Sequence, residues 1–320
     1  MEKVPAAGYK IVGLNIAGLQ RKLSPSLLSF PFKVIGSVLK ANKILKEFKP
    51  DIVIGTGGYA SGPMLRAASS KGIPTLIHEA NSYPGITNRI LSKKVNTICV
   101  GTPGMEKYFP KKKMVYTGNP VRQDISGIEQ KREEGLKFFN YKGDKKIILV
   151  VGGSLGAKGI NEAMGVSLQQ IADSNAELLW QTGKPYFETA RQQAAPFDDK
   201  NIRAVDFITK MDLAYAIADV IISRAGAGAV SEICIIRKPS VLVPLPTAAE
   251  DHQTQNAMSL VSRNAALLVK DMEAKEKLVA TAIALLKDEA KQRELSENAG
   301  KLAMPRAAQM IVEEVFKLIK

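Results

Sequence analysis

Short apolar runs alternate with amphipathic stretches along most of this 320-residue chain. Continuous runs such as Ile-Ile-Leu-Val-Val at 147–151 are typical of buried strands. We predict strands at 9–14, 52–54, 74–77, 96–100, 113–117, 146–151, 176–181, 202–207, 220–223 and 240–245. Apolar residues at helical spacing predict helices at 24–49, 86–93, 185–195, 211–218, 228–236 and 252–264, and a helical remainder that Pro305 interrupts. This alternation is typical of α/β proteins with parallel sheets covered on both faces.

Three of the predicted strands run into glycine-rich turns, at 55–63, 152–159 and 223–232. Glycine lets the backbone approach a ligand, and a helix N-terminus offers unpaired N–H groups and a positive dipole end. We therefore expect an anion at the third turn. Glu232, about one turn into the following helix, is placed to accept hydrogen bonds from ligand hydroxyls such as those of a ribose. A tight turn with a solvated glutamate is the alternative.

Polar residues also follow the predicted strand 74–77. His78, Glu79 and Asn81 stand at its carboxyl end, and parallel α/β sheets bind ligands outside the carboxyl ends of their strands. We interpret these residues as candidates for a functional site, although a lone histidine at such a position is also typical of a structural residue.

The polar and charged stretch 123–144 is predicted to connect two domains, one at 1–122 and one that begins near 145. Glycine-rich turns at strand ends in both domains predict a cleft between them. One half would hold a nucleotide diphosphate and the other half an acceptor.

Composition narrows the classes of partner. The net charge of +14 suits nucleic acid, an anionic membrane surface or anionic small molecules. Nucleic acid is the weakest of these, because the chain has no nucleic-acid-binding motif and its aromatic residues are not interleaved with basic ones. Two cysteines in apolar runs and only two histidines predict buried thiols and no zinc centre. No run reaches the roughly 18–20 apolar residues of a membrane span.

The predicted helix 24–49 carries lysines beside its apolar residues. Such a helix either lies on an anionic membrane surface or covers a sheet as an ordinary amphipathic helix. Both interpretations stay open from the residues alone.

Six short segments, taken in order, resemble those of the MurG family, the bacterial UDP-N-acetylglucosamine:undecaprenyl-pyrophosphoryl-N-acetylmuramyl-pentapeptide N-acetylglucosaminyltransferases. The order of six motifs is far more specific than any single glycine-rich turn. The segments are Gly-Gly-Tyr-Ala-Ser-Gly-Pro at 57–63, His-Glu-Ala-Asn at 78–81, Gly-Asn-Pro-Val-Arg at 118–122, Gly-Gly-Ser-Leu-Gly-Ala at 152–157, Arg-Ala-Gly-Ala-Gly-Ala-Val-Ser-Glu at 224–232 and Asp-His-Gln-Thr-Gln-Asn-Ala at 251–257.

The resemblance implies the GT-B fold, an α/β architecture of two Rossmann-like domains with parallel sheets facing across a cleft. The second domain would span 145–304, and the helix at about 305–320 would cross back to complete the first. The implied reaction is an inverting transfer of N-acetylglucosamine from UDP-GlcNAc to the 4-hydroxyl of undecaprenyl-pyrophosphoryl-MurNAc-pentapeptide in peptidoglycan synthesis. No cofactor is expected, and the sequence has no metal-binding Asp-x-Asp motif.

The resemblance also implies roles for single residues. Ser154 would bind the donor diphosphate, Ile208 the uracil through its backbone, and Glu232 the ribose. Gln253, with His252 beside it, would hold the sugar. The full set of implied donor contacts is Asn81, Arg122, Ser154, Ile208, Ala227, Gly228, Ala229, Val230, Ser231, Glu232, His252 and Gln253.

A membrane-facing patch is implied at Phe32, Lys33, Ile35, Val38 and Lys40. The expected location is peripheral, on the cytoplasmic face of the inner membrane. The expected partners are UDP-GlcNAc, the undecaprenyl-linked acceptor, an anionic membrane surface and cell-wall synthesis proteins, and no nucleic acid.

The family's first glycine-rich loop, Gly-Gly-Thr-Gly-Gly-His, has no counterpart in this sequence. In the family it carries a histidine proposed as the catalytic base. We therefore expect the chain to begin downstream of this loop, with roughly one β-α-β unit missing from the first domain. His78 and Glu79 are then the remaining candidates for the base, and we expect little activity from this polypeptide alone.

Two other functions stay open. A UDP-GlcNAc 2-epimerase of the same fold would need the same UDP site but no lysine-rich helix. A non-catalytic, membrane-associated UDP-sugar-binding subunit would not need the absent loop. A dehydrogenase is disfavoured, because neither domain opens with Gly-x-Gly-x-x-Gly and an acidic residue about 20 positions on.

Overall fold

A computed structural model describes residues 3–16 and 26–319, with side chains from residue 33 onward in the second range. The chain divides into two compact units. The first comprises Met1–Ala80, Pro84–Thr117 and Gln309–Lys320, and the second comprises Asn81–Tyr83 and Gly118–Ala308. The domain boundaries expected from the sequence stay a prediction.

The first unit holds a four-stranded parallel sheet in the order β1-β2-β3-β4. Its core lies where α3 packs on the sheet, with Leu65 and Ala68 against Ile77 and Ile98. The elements are α1 (Lys3–Ala6), α2 (Ser26–Phe48), β1 (Val53–Gly55), α3 (Ser61–Ser70), β2 (Thr75–Glu79), α4 (Ile86–Leu91), β3 (Thr97–Val100) and β4 (Met114–Tyr116).

The predicted strand at 9–14 is wrong. Residues 9–16 have no regular secondary structure, and Tyr9 is 72% exposed. A strand persists only when its N–H and C=O groups pair with a neighbouring strand, and within the described ranges β1 pairs only with β2. Local β-propensity at Tyr9, Ile11 and Val12 is therefore not enough to form one.

The second unit holds a six-stranded parallel sheet in the order β10-β9-β8-β5-β6-β7. Its strands are β5 (Ile147–Val151), β6 (Glu177–Gln181), β7 (Ile202–Val205), β8 (Val220–Ser223), β9 (Ser240–Leu242) and β10 (Leu267–Leu268). Its helices are α5 (Arg132–Phe139), α6 (Lys158–Val166), α7 (Leu168–Asp173), α8 (Phe187–Ala194), α9 (Met211–Ile217), α10 (Ala227–Ile236), α11 (His252–Val261), α12 (Ala274–Lys287) and α13 (Glu289–Lys301), followed by α14 (Ala307–Ile319), which lies mostly in the first unit.

Strand β5 explains why this sheet is buried on both faces. Ile148 and Val150 point into the core beneath α6 and α12, whereas Ile147 and Leu149 point into the core that includes α9. Alternate side chains of a strand face opposite sides of the sheet, so an apolar residue at every position requires cover on both faces. Each fully buried side chain of this kind contributes about 1.5–3 kcal/mol.

Residues 123–144 contain short 3₁₀ turns and helix α5, which packs against α9. Arg132 Nη1 donates a hydrogen bond of 2.8 Å to Ile217 O at the end of α9. This stretch, for which a connection was expected, is therefore folded against the second unit.

The α/β class with two parallel sheets is confirmed. Both cysteines are buried, as predicted, and Pro305 lies between the end of α13 and the start of α14. Within the described ranges, no helix is long and apolar enough to cross a membrane.

Two glycine-containing loops of the second unit contact each other backbone to backbone. Gly156, in the loop after β5, has a φ of +76°, and a Cβ placed there would lie 2.5 Å from Thr182 O. Asn161 stabilises the same contact, because its Nδ2 donates to Thr182 O and its Oδ1 accepts from Trp180 Nε1. The loop after β5 is thus fixed against the end of β6.

We predict that Gly156→Ala destabilises the second unit more than Gly153→Ala does. Both residues have a positive φ, which costs alanine about 1–2 kcal/mol. A Cβ at Gly153 would meet nothing within 4 Å, whereas overpacking at Gly156 adds about 1–3 kcal/mol. Urea unfolding followed by the fluorescence of Trp180, the single tryptophan, measures the difference. Equal losses in the two variants would contradict the proposed contact.

Candidate active site

The strand order of the second unit changes direction between β5 and β8. From β5 the sheet continues through β6 to β7, and from β8 it continues the other way through β9 to β10. Val151 and Ser223, the last residues of β5 and β8, are partners in the ladder. The turns that follow them therefore begin side by side, at the position where open α/β sheets bind ligands.

The turn after β8 leads into the N-terminus of α10. Gly226 is the N-cap, in an extended conformation and with no side-chain capping bond, and the first intrahelical bond runs from Val230 N to Gly226 O at 3.0 Å. The N–H groups at 227–229 therefore lack intrahelical partners and lie at the positive end of the helix dipole. Ser154, in the neighbouring loop, is exposed at the same edge of the sheet.

Glu232 lies one turn further along α10, and both of its carboxylate oxygens accept hydrogen bonds. Arg122 Nε lies 3.0 Å from Oε1, and Tyr215 OH lies 2.7 Å from Oε2. The Glu232 side chain is only 15% exposed, so the alternative of a solvated glutamate is wrong. Burial, and then the negative charge of Glu232, raises the pKa of Tyr215 well above its usual value, so that the phenol keeps its proton and donates.

The segment 118–122 follows the same face of α10. Asn119 Nδ2 donates to Ser231 Oγ at 2.9 Å, and Ser231 Oγ in turn donates to Ala227 O at 2.9 Å. These bonds and the Arg122–Glu232 pair place the segment 118–122 beside the segment 224–232.

The start of α11 is held in an unusual backbone conformation. Glu250 and Asp251 have φ values of 56° and 53°, and non-glycine residues in this region cost free energy that is often found at functional sites. His252 Nδ1 donates to Ala249 O at 2.6 Å. Gln253 Oε1 accepts from Leu245 N at 3.0 Å, and within the described chain no acceptor binds its Nε2.

Ile208 follows β7 and is 4% exposed, because its side chain packs in the core with Tyr215. Its side chain is therefore not available to a ligand, and the expected contact of its backbone with the uracil stays a prediction. Phe207, beside it, is 50% exposed.

Arg224 stabilises the turn before α10 by contacts to neighbouring segments of the second unit. Its Nη1 forms an ion pair with Asp271 Oδ1 and donates to Val243 O at 3.1 Å. The ion pair is mostly buried, and together the two contacts join the end of β8 to the residue after β9 and to the 3₁₀ turn that precedes α12. Within residues 3–16 and 26–319, no group of three or more His, Cys, Asp or Glu side chains is arranged to hold a metal ion.

Two family descriptions match this chain. The Glycosyltransferase family 28 C-terminal domain matches residues 147–311, and the Glycosyltransferase family 28 N-terminal domain matches residues 1–100.

Similar proteins of known name also indicate a glycosyltransferase family. Proteins of Christiangramia forsetii and Cytophaga hutchinsonii, each named UDP-N-acetylglucosamine--N-acetylmuramyl-(pentapeptide) pyrophosphoryl-undecaprenol N-acetylglucosamine transferase, are 51% identical to it over 319 residues. The match covers 100% of this chain and 86% and 85% of those proteins. The crystal structure of Acinetobacter baumannii MurG is 32% identical, with a TM-score of 0.80 over 98% of this chain and 87% of that one.

The chain belongs to the MurG family.

The crystal structure of UDP-GlcNAc 2-epimerase from Neisseria meningitidis has a TM-score of 0.57 but only 17% identity, over 93% of this chain and 84% of that one. This likeness shows the fold alone. The full-length relatives and the MurG structure confirm the GT-B fold and the glycosyltransferase class that were expected from the sequence. The epimerase alternative gains no support.

The residues that the sequence analysis assigned to the MurG-family donor site all lie in the second unit. Glu232 and Arg122 are in direct contact, and Ser231 meets the same segment through Asn119. Asn81, which is distant in sequence, accepts a hydrogen bond from Asn256 of α11. The ligand roles of these residues stay predictions.

His78 and Glu79 lie in the first unit, at the end of β2, and are 7% and 4% exposed. Glu79 Oε2 accepts from Gly85 N at 3.1 Å and from Asn88 Nδ2 at 2.9 Å. The carboxylate thus supports the start of α4, a structural role that sequence reasoning did not foresee. Their assignment as a base stays a prediction.

On α2, Ile35 is 58% exposed and Lys40 is exposed, whereas Lys33 and Val38 are half-buried. The side chain of Phe32 lies outside the described residues.

Sequence reasoning missed Tyr215 and Asn256. Tyr215 belongs to an apolar helical pattern, which predicts a core residue at its position. Nothing in that pattern indicates a contact with Glu232. Asn256 belongs to the quoted segment 251–257, but no role was assigned to it.

Asn256 connects three segments of the second unit. Its Nδ2 donates to Asn81 Oδ1 at 3.1 Å and to Ala225 O at 3.2 Å, and its Oδ1 accepts from Ser82 N at 2.8 Å. The side chain is 1% exposed. It therefore positions Asn81 relative to both α11 and the turn before α10.

We predict that Asn256→Ala lowers the free energy of unfolding by about 2–4 kcal/mol, because it leaves buried polar groups without their partners. Gln255→Ala, an exposed position on the same helix, should change it by no more than about 0.5 kcal/mol. Urea unfolding measures both values. Hydrogen exchange at the Ser82 amide should accelerate only in Asn256→Ala, and unchanged protection there would contradict the positioning role.

Proposed function

We propose that this chain transfers N-acetylglucosamine from UDP-N-acetylglucosamine to the 4-hydroxyl of undecaprenyl-pyrophosphoryl-MurNAc-pentapeptide, which is the conversion of lipid I to lipid II. The named relatives, which match along the whole chain, support this reaction. The observation that carries the donor half is the turn between β8 and α10. There, unpaired helix N–H groups and a held carboxylate lie at the point where the sheet changes direction.

In this proposal the donor diphosphate binds at the N-terminus of α10 and beside Ser154. The N–H groups at 227–229 donate to phosphate oxygens, and the helix dipole favours their negative charge. Glu232 accepts the ribose hydroxyls, and the backbone at Ile208 meets the uracil. These assignments follow the family resemblance, and the exposure of Ser154 is consistent with its part in them.

The sugar would bind at the start of α11. Gln253 has donors at Nε2 that are not used within the described chain, and His252 keeps Nε2 for a ligand because Nδ1 donates to Ala249 O. Asn81 and Arg122 complete the set of proposed donor contacts. Asn256 and Glu232, respectively, hold them in place.

Chemistry would proceed with inversion. The acceptor hydroxyl loses its proton to a base and attacks the anomeric carbon from the face opposite UDP, while the bond to the diphosphate oxygen breaks. Negative charge grows on the diphosphate, and the α10 N-terminus is pre-arranged to stabilise it. His78 and Glu79 stay the proposed candidates for the base.

We also propose that the first unit binds an anionic membrane surface as a peripheral protein on the cytoplasmic face. Ile35 and Leu39 of α2 are 58% and 65% exposed, and Ile86 and Ile90 of α4 are 51% and 67% exposed. Residues of both helices line one apolar cavity of about 350 Å³. Basic residues stand beside these side chains, namely Lys33, Lys40, Arg89 and Lys93, which suits anionic headgroups.

We predict that Glu232→Ala weakens binding of UDP-N-acetylglucosamine about 10–100-fold in calorimetric titration, because hydrogen bonds to a charged group are lost. The matched control is Glu289→Ala. That glutamate is 75% exposed in an ion pair with Lys146, and removing it should leave affinity unchanged. Transfer to a lipid-linked acceptor should fall in parallel with binding. Full affinity in folded Glu232→Ala would overturn the donor-site assignment.

We predict that the double variant Ile35→Glu, Leu39→Glu reduces binding to vesicles containing phosphatidylglycerol at least about 10-fold, because apolar side chains that enter the interface become charged. Phe48→Glu serves as control. Phe48 is 78% exposed but lies nine residues from Leu39, about two and a half turns, on the opposite side of α2. Vesicle co-sedimentation measures both. Equal loss in the control would contradict the proposed surface.

A further inference from the structure

Tyr215 occupies a position that neither the family resemblance nor the proposed function uses. It comes from α9, a helix buried along its whole length, and is itself 4% exposed. Its ring packs with Leu149, Ile208 and Ile236 in one core cluster. Its hydroxyl donates a hydrogen bond of 2.7 Å to Glu232 Oε2, which lies outside this apolar cluster.

The two partners of Glu232 differ in how firmly they are held. The Arg122 side chain is 44% exposed, and a guanidinium on an exposed side chain loses rotamer freedom when it keeps one geometry. The ring of Tyr215 is fixed by its packing. The position of the carboxylate is therefore set mainly by the phenol, and Arg122 adds charge on the outer side.

Hydrogen-bond capacity leaves room for a ligand. A carboxylate has about four lone-pair sites, and two are used here, one on each oxygen. Two hydroxyl donors can therefore still bind without displacing either partner. A cis-diol, such as that of a ribose, presents two donors at the spacing of the two carboxylate oxygens.

We propose that Tyr215 is a positioning residue that sets the recognition of the ribose hydroxyls of the donor nucleotide. It does so by orienting the Glu232 carboxylate, without touching the ligand. The inference rests on the proposed function, in which Glu232 accepts these hydroxyls. Without the phenol, Oε2 would lose the hydrogen bond that it accepts from Tyr215, and the carboxylate could turn away from the diol.

The test compares affinities for UDP and 2′-deoxy-UDP by calorimetry in the wild type, Tyr215→Phe and Glu232→Ala. Phenylalanine keeps the ring packing and removes only the hydroxyl. In Tyr215→Phe we expect UDP to bind about 5–20-fold more weakly, with a smaller loss for 2′-deoxy-UDP, so that the ratio of the two affinities shrinks. Tyr186→Phe is the matched control, because within the described residues its hydroxyl makes a single long contact of 3.5 Å, with Gln193 Oε1, and its ratio should equal that of the wild type.

Steady-state kinetics separates positioning from general damage. A ribose contact is made equally in the ground state and the transition state, so Tyr215→Phe should raise KM for UDP-N-acetylglucosamine and leave kcat almost unchanged. A partly misfolded variant would instead lose kcat at constant KM, and that result would overturn the proposal.

The other outcomes are also decisive. If Glu232→Ala abolishes the preference for UDP and Tyr215→Phe retains it, Glu232 is the ribose ligand and the role of Tyr215 is refuted. If Glu232→Ala retains the preference, the ribose assignment in the proposed function fails and the role of Tyr215 fails with it. Should Tyr215→Phe not fold, Tyr215 is replaced by 4-fluorophenylalanine, which fills nearly the same space but has no hydrogen to donate; an unchanged ratio in that variant overturns the proposal.

Discussion

The hydrogen-bonded pairing of β5 with β8 is the constraint on which the candidate site depends. These two strands are far apart in sequence, yet Val151 and Ser223 are ladder partners. Because the pairing is parallel, both strands end at the same edge of the sheet. The loop with Ser154 and the N-terminus of α10 are adjacent only for this reason, and every proposed contact to the donor is built around them.

Around this edge, polar side chains form hydrogen bonds and ion pairs with one another. Tyr215 and Arg122 donate to Glu232, Asn256 donates to Asn81, and the ion pair of Arg224 with Asp271 stabilises the turn before α10. A site arranged in this way before a ligand arrives has less conformational entropy to lose on binding. The close backbone contact between Gly156 and Thr182 serves the same end in the neighbouring loop.

Where the sequence analysis succeeded, local pattern and burial agreed. The apolar run 147–151 became a central strand because parallel sheets bury both faces, and the glycine-rich turns fell at strand ends as expected. The strand predicted at 9–14 is wrong, because its strand-like pattern has no described neighbour to pair with. The partners of Glu79 could not be predicted either, since its carboxylate supports the start of α4 through Gly85 and Asn88.

By itself, the sequence determined the α/β class and the family, because periodicity and ordered motifs are properties of the chain that need no partner. Only the tertiary structure decided which side chains meet. Tyr215 and Glu232 are 17 residues apart, and Asn81 and Asn256 are 175 residues apart. Whether such groups come within hydrogen-bond distance depends on strand order and helix packing, which no local pattern encodes.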